Sequence, residues 1–240
     1  MKLTCNIRLN IFDESEAEYV ILPLLFLFKR IYNKYKIILY YKGNTMDYKA
    51  EFLEIFNTYV TRRGADRMLK WLENTDFFTA PASTRYHGAC ESGLVMHSLN
   101  VYKVLKARND IDKMYSDETI ALVGLCHDFC KINFYSEGTR NVKNDVTGQW
   151  EKVRVYNVDD QFPFGHGEKS VFLVERFLKL TVEEAMAIRW HMGGFDDSAK
   201  AGSFAMSEAY RRYPLAVMTH LADLEATYLL EKGTSAVNKR

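Results

Sequence analysis

From residue 46 onward, apolar residues recur at helical spacing in segment after segment, which commits most of the chain to packed helices. Phe52, Phe56 and Tyr59 share one stripe, and Ala65, Met68, Leu69 and Leu72 share the next. A further helix is predicted over about 94–107, with Leu94, Val101 and Val104 aligned. Asp117 reads as the N-cap of a helix that continues through Ile120, Val123 and Leu125 to about Cys130. Periodicity returns at 167–180 through Val171, Val174, Phe177 and Leu178. Thr181 and Glu184 then form a capping box, and that helix ends near His191-Met192-Gly193-Gly194. Pro214 opens the last strong helix, which carries Leu215, Met218, Leu221 and Leu224.

Residues 132–165 break this habit. Asp145-Val146-Thr147-Gly148 is a turn signal, and Val153 and Val155 alternate with Lys152, Arg154 and Tyr156. The expected fold is therefore all-α, one helical domain over 46–240, with a β-hairpin inserted at about 138–157.

Hydrophobic residues make up 48% of the chain and aromatics 14%, enough for a substantial core. Lysine plus arginine number 32 against 31 acidic residues, a formal charge of +1. That balance gives no global argument for nucleic-acid or membrane binding, although it permits a local basic patch. Neither a membrane association nor a stable nucleic-acid complex is expected, and a homo-oligomer is left open. Cys5, Cys90, Cys126 and Cys130 match neither a disulfide scaffold nor a zinc finger, so a reducing, cytoplasmic setting is expected.

The first 45 residues differ. Residues 19–28 (YVILPLLFLF) are apolar, too short to span a bilayer, and interrupted by Pro23. Two readings stand: a short strand or helix that docks on the domain, or a stretch upstream of a natural start at Met46. In the second, the codons for Lys42-Gly43-Asn44 would spell a purine-rich ribosome-binding stretch.

The chain has six histidines, and their placement carries the chemistry. His97 lies three residues after Leu94 and four before Val101, and His127 lies four after Val123, so both fall on inward stripes. Asp128 follows His127 directly, and a carboxylate aimed at a core is costly unless paired or bound to metal. Asp223 has small helical neighbours in Ala216, Thr219, Ala226 and Thr227, which leave room for an ion. For any one of these residues alone, a cap or an internal ion pair is the better account.

Their order is more telling. A histidine in GLVMHSLNV, a His-Asp pair thirty residues on in ALVGLCHDFCKI, and an aspartate about a hundred residues later in HLADLEATYL resemble the HD-domain superfamily of metal-dependent phosphohydrolases. The resemblance covers about residues 80–231 and is closest to small bacterial and phage HD hydrolases. It implies an HD-type helical bundle with His97, His127, Asp128 and Asp223 as metal ligands. Lys131 matches a lysine that faces substrate phosphate. His166 in FPFGHGEKS and His191 in RWHMGG match histidines that hold a second metal in some members; phosphate binding or helix capping are their alternative roles. His87 is expected near the substrate, and His220 beside the site or satisfied within its helix. Arg85, Arg140, Lys143, Arg154, Lys169 and Arg189 are candidate phosphate contacts, with Arg85, His87, Lys131 and Arg189 forming the expected substrate set.

Imidazole with carboxylate suits Mn, Fe, Co, Ni or Zn, one or two ions per chain, and Cys126 and Cys130 read as inert core thiols. The implied reaction is hydrolysis of a phosphoester or phosphoanhydride, most readily of a nucleotide or short oligonucleotide. Asp128 or Asp223 would orient the attacking water and Lys131 would neutralise phosphate charge. The hairpin, with Arg140, Lys143, Lys152 and Arg154, would act as a substrate-selecting flap. MGGFDD follows His191 where cyclic-dinucleotide enzymes of the family carry a GYP signature, which speaks against that substrate. A di-iron oxygenase on the same fold uses a similar ligand set and is the rival, and a nucleotide sensor without turnover is a third reading.

Overall fold

The computed structural model describes residues 47–144 and 146–231. The two readings of residues 1–45 and the position of Cys5 lie outside them. Among the described residues no helix is long and apolar enough to cross a membrane.

The chain enters at α1 (Tyr48–Tyr59), where Asp47 caps the helix by accepting from the Ala50 amide at 3.0 Å. After α2 (Ala65–Leu72) and a turn-rich loop comes α3 (Gly93–Asp112). Helix α3 buries residues on nearly every side, as a helix surrounded by others must. Helix α4 (Asp117–Cys126) lies along it. The cap of α4 is Ser116, whose hydroxyl accepts from the Thr119 amide at 3.1 Å, and Asp117 is the first helical residue rather than the cap.

A second correction concerns the end of α4. It stops at Cys126, short of the expected Cys130, and a 3-10 turn (Phe129–Lys131) follows. Asp128 takes φ −105° and ψ 22°, outside the α region, so the chain turns at the His-Asp pair. Just past the turn, the Phe129 ring is fully buried against Phe77 and Trp71, with centroids at 5.3 and 6.1 Å, which anchors the chain after the break.

Strands β1 (Tyr135–Lys143) and β2 (Trp150–Val158) form an antiparallel hairpin in continuous register from Tyr135↔Val158 to Lys143↔Trp150. It begins three residues earlier than the alternation alone indicated. Asn144 closes it, its side-chain oxygen accepting from the Val146 and Thr147 amides.

Helices α5 (His166–Glu175) and α6 (Val182–Arg189) pack on each other. The Thr181–Glu184 capping box is formed as expected. Short helices α7 (Asp197–Lys200) and α8 (Ala205–Arg212) lead to α9 (Pro214–Glu225), which Pro214 opens and which packs on α6 and α3. A π turn (Ala226–Leu230) extends α9. The architecture is mainly helical with one small hairpin, and α3, α4, α5, α6 and α9 all end or pass near one point.

Candidate metal centre

Two glycines set how closely the elements meet there. A Cβ on Gly124 would lie 2.6 Å from the Tyr102 Cα, so α4 can approach α3 only without one. A Cβ on Gly167 would lie 2.0 Å from the Arg189 carbonyl oxygen, so the start of α5 sits against the end of α6. These contacts bring His97 of α3 to His127, and His166 to His191.

Asp128 is the hub. Its Oδ2 lies 3.5 Å from His97 Nε2 and 3.7 Å from His127 Nε2, while its Oδ1 lies 3.0 Å from His166 Nε2 and 3.4 Å from His191 Nε2. Asp223, on α9, puts Oδ1 3.2 Å from His97 Nε2. Lys131 donates from Nζ to Asp128 Oδ2 at 2.6 Å. The six expected ligands therefore meet, and Lys131 joins them. His97, His127, Asp128 and His191 are buried, whereas His166 and Asp223 are partly exposed, so the cluster opens to solvent on their side.

Tautomers follow from the second nitrogen of each ring. His127 Nδ1 faces the Gly124 carbonyl at 2.9 Å and His191 Nδ1 faces the Ile188 carbonyl at 2.7 Å. A carbonyl only accepts, so both Nδ1 atoms carry the proton and both Nε2 atoms present lone pairs. His97 Nδ1 donates to the Glu231 carboxylate at 3.0 Å in the same way. Yet His127 Nε2 and His97 Nε2 lie 3.3 Å apart, and His191 Nε2 is buried with no hydrogen-bond partner. Lone pairs and carboxylate oxygens that converge in this way call for a cation.

The electrostatics divide the histidines, and Asp128 raises His191 despite burial. Burial pushes His127 down to about 3, and lowers His166. Burial acts the same way on His97, but the Glu231 and Asp223 carboxylates outweigh it and raise the ring to about 10. Against burial, Lys131 and the histidines hold Asp128 well below the usual carboxylate range. Burial, His97 and Lys131 together lower His87 to about 4.

Among the described residues, groups whose ligand atoms lie within 4.8 Å of one another include His97–His127–Asp128, His127–His191–Asp223 and Asp128–His166–His191. These buried His/Asp groups can hold a metal ion. Nitrogen and oxygen donors dominate. Cys130 Sγ lies 3.4 Å from the His166 ring, but burial raises its pKa, so it is a neutral thiol. Cys126 is fully buried in the core.

The other expected residues divide. His87 packs on His97 with ring centroids 4.9 Å apart, and its buried Nε2 has no partner. Arg85 is exposed beside the Tyr86 ring. Arg189 is committed to structure: it pairs with Glu168, bonds Asp196 at 2.7 Å and lies over the Trp190 ring. Lys169 is buried and bonds Asp160 at 2.6 Å. His220 donates from Nδ1 to the His191 carbonyl at 2.7 Å and so steadies that turn.

Glu231 escaped the reading of the sequence. It is buried, receives Asn100 Nδ2 at 2.9 Å as well as His97, and completes a group with His87 and His97. Eight residues separate it from Asp223, whereas two α-helical turns span about 7.2. The wider π turn takes up the excess and returns Glu231 to the His97 side. Helical periodicity carries no signal for this.

No protein-family model, curated protein or solved structure matches the chain.

Proposed function

We propose that the protein is a metal-dependent phosphohydrolase of the HD type that cleaves a phosphoester or phosphoanhydride, most readily of a nucleotide or oligonucleotide. The observation that carries this reading is the carboxylate of Asp128. One of its oxygens faces His97 and His127, the other faces His166 and His191, and Lys131 is bonded to the first.

His97, His127, Asp128 and Asp223 would hold one divalent ion, and Asp128, His166 and His191 a second. When bound, such ions supply Lewis acidity and make hydroxide available near neutral pH. The chain's own groups do the rest. Lys131 Nζ, raised in pKa by Asp128 despite burial, stays charged and neutralises a phosphoryl oxygen. The backbone carbonyls of Gly124 and Ile188 keep a proton of His127 and His191 at Nδ1, so Nε2 is the atom turned toward an ion. His87 is neutral at pH 7, so one ring nitrogen can donate to the substrate while the other accepts. Burial of His97, His127 and His191 excludes water from the inner side of the cluster.

The test is metal analysis of protein purified without added metal, then hydrolysis of nucleotides and bis-p-nitrophenyl phosphate with Mn, Fe, Co, Ni or Zn. Metal-dependent release of phosphate or p-nitrophenol, abolished by Asp128→Ala, supports the hydrolase. Two irons per chain, oxygen uptake and no hydrolysis would transfer the assignment to the oxygenase.

A further inference from the structure

In an antiparallel pair, residues directly opposite each other project to the same side of the sheet. The register therefore sorts the hairpin into two unlike faces. One carries Val142, Val153 and Val155, all half-buried. The other carries Lys143 with Trp150, then Lys152, Arg154, Tyr156 and finally Tyr135 at the base. On this second face Trp150 at one end and the two tyrosines at the other bracket three cations, and its one carboxylate, Glu137, pairs with Arg154 at 3.4 Å. Trp150, at the outer end, is 71% exposed.

The base of that face lies at the metal centre. Tyr135 donates to the Ala82 carbonyl at 3.2 Å, and both Lys131 and Asp128 act on its phenol electrostatically. Arg154 feels Glu91 of the loop that also holds Arg85, Tyr86 and His87. That loop presents a second aromatic–cation pair, Arg85 over the exposed Tyr86 ring. The hairpin face runs about 27 Å, the length of eight strand steps, and the loop meets it at its base.

We propose that this hairpin face and the facing loop form a track for single-stranded nucleic acid, leading a phosphodiester to the metal-binding cluster. Cations at alternate positions meet backbone phosphates, and Trp150, Tyr156 and Tyr135 offer rings on which unpaired bases stack whatever their identity. A duplex hides its base faces and cannot use those rings. A flat anionic membrane could engage the ribbon's tip, but it cannot follow the face down to Lys131. The chain's near-neutral total charge is no obstacle, because the cations are gathered on one face. The delivery half of the proposal rests on the hydrolase reading, whereas the binding half stands without it.

The test is fluorescence anisotropy of labelled ten-nucleotide single strands, DNA and RNA, with full-length protein and no added metal. With two phosphates neutralised by Lys143 and Lys152, affinity should fall about sevenfold between 50 and 200 mM salt. Trp150→Ala should weaken binding about tenfold. Lys143→Gln and Lys152→Gln should each flatten the salt slope by about 0.7, while Arg140→Gln, on the opposite face, changes affinity about twofold at most. All four side chains are exposed, and unchanged circular dichroism confirms that the variants fold. Absence of strand binding, equal loss in Arg140→Gln, or preference for duplex or phosphatidylserine vesicles overturns the track. Metal-dependent hydrolysis of bis-p-nitrophenyl phosphate without strand binding sinks the track and leaves the hydrolase. Face-specific strand binding with no hydrolysis under any metal does the reverse.

Discussion

The Glu231 carboxylate accepts a hydrogen bond from His97 Nδ1 at 3.0 Å, joining positions 134 residues apart. It fixes the orientation of the His97 ring and turns Nε2 toward Asp223 and Asp128. Carboxylates placed behind a ligating imidazole orient the ring and raise its basicity, and their loss usually costs about 10–100-fold in metal affinity. Glu231→Ala should therefore weaken Mn or Zn binding by at least about tenfold in a calorimetric titration. Affinity equal to that of the parent protein would show that His97 needs no such partner.

Metal removal should be visible in stability before any substrate is known. The carboxylates of Asp128 and Asp223 and the Nε2 atoms of four histidines crowd a site that is mostly buried, and an ion between them binds only the folded chain. At a hundredfold excess over Kd, such binding adds about 2.7 kcal/mol. For a domain of this size that is roughly 5–10 °C in Tm. Melting with chelator and then with each of Mn, Fe, Co, Ni and Zn measures it, and five flat responses would remove the metal centre.

Gly124 offers a test of how the centre is assembled. A methyl group there meets the Tyr102 backbone at 2.6 Å, so α4 must move away from α3. Gly124→Ala should lower stability by about 1–3 kcal/mol, despite the better helix propensity of alanine. Metal affinity should fall with it, because His127 rides on the end of α4. Urea denaturation checks the first effect and metal titration the second. An unaltered midpoint contradicts the close contact.

Glu184 is buried and receives Arg62 through both carboxylate oxygens at 2.6 and 2.7 Å, with Thr119 at 2.8 Å. Burial alone would raise its pKa, but these donors lower it. A carboxyl depressed in the folded state stabilises above its unfolded value, near 4.5, and that contribution is lost as pH falls through the folded value. Glu184→Gln should cost about 1.5–3 kcal/mol at pH 7. The parent protein should lose part of its stability as pH drops below about 4.5, and the variant should show a shallower slope in that window. Parallel pH profiles for the two proteins would refute the linkage.

Helices, hairpin and the order of the six ligand-type residues are legible in the sequence because each rests on a local rule. Helical stripes, the Thr181–Glu184 box and Pro214 at a helix start depend on neighbours a few residues away, and the structure forms all of them. The inward stripes likewise pointed His97 and His127 at the core, where they lie.

What only the tertiary structure decided lies where a local rule gives way or where distant elements meet. The helix after Ser116 stops at Cys126, and Phe129 beyond it enters an aromatic cluster built by other segments. That break is what lets Asp128 face two histidine pairs at once. Glu231 reaches His97 through a π turn, for which a pattern of 3.6 residues per turn has no expression. Arg189 reads as a phosphate ligand until Glu168 and Asp196 are seen to hold it. Sequence determines the period of each element, and thus which residues turn inward. The distances and helix ends set by packing determine which of those residues share an ion.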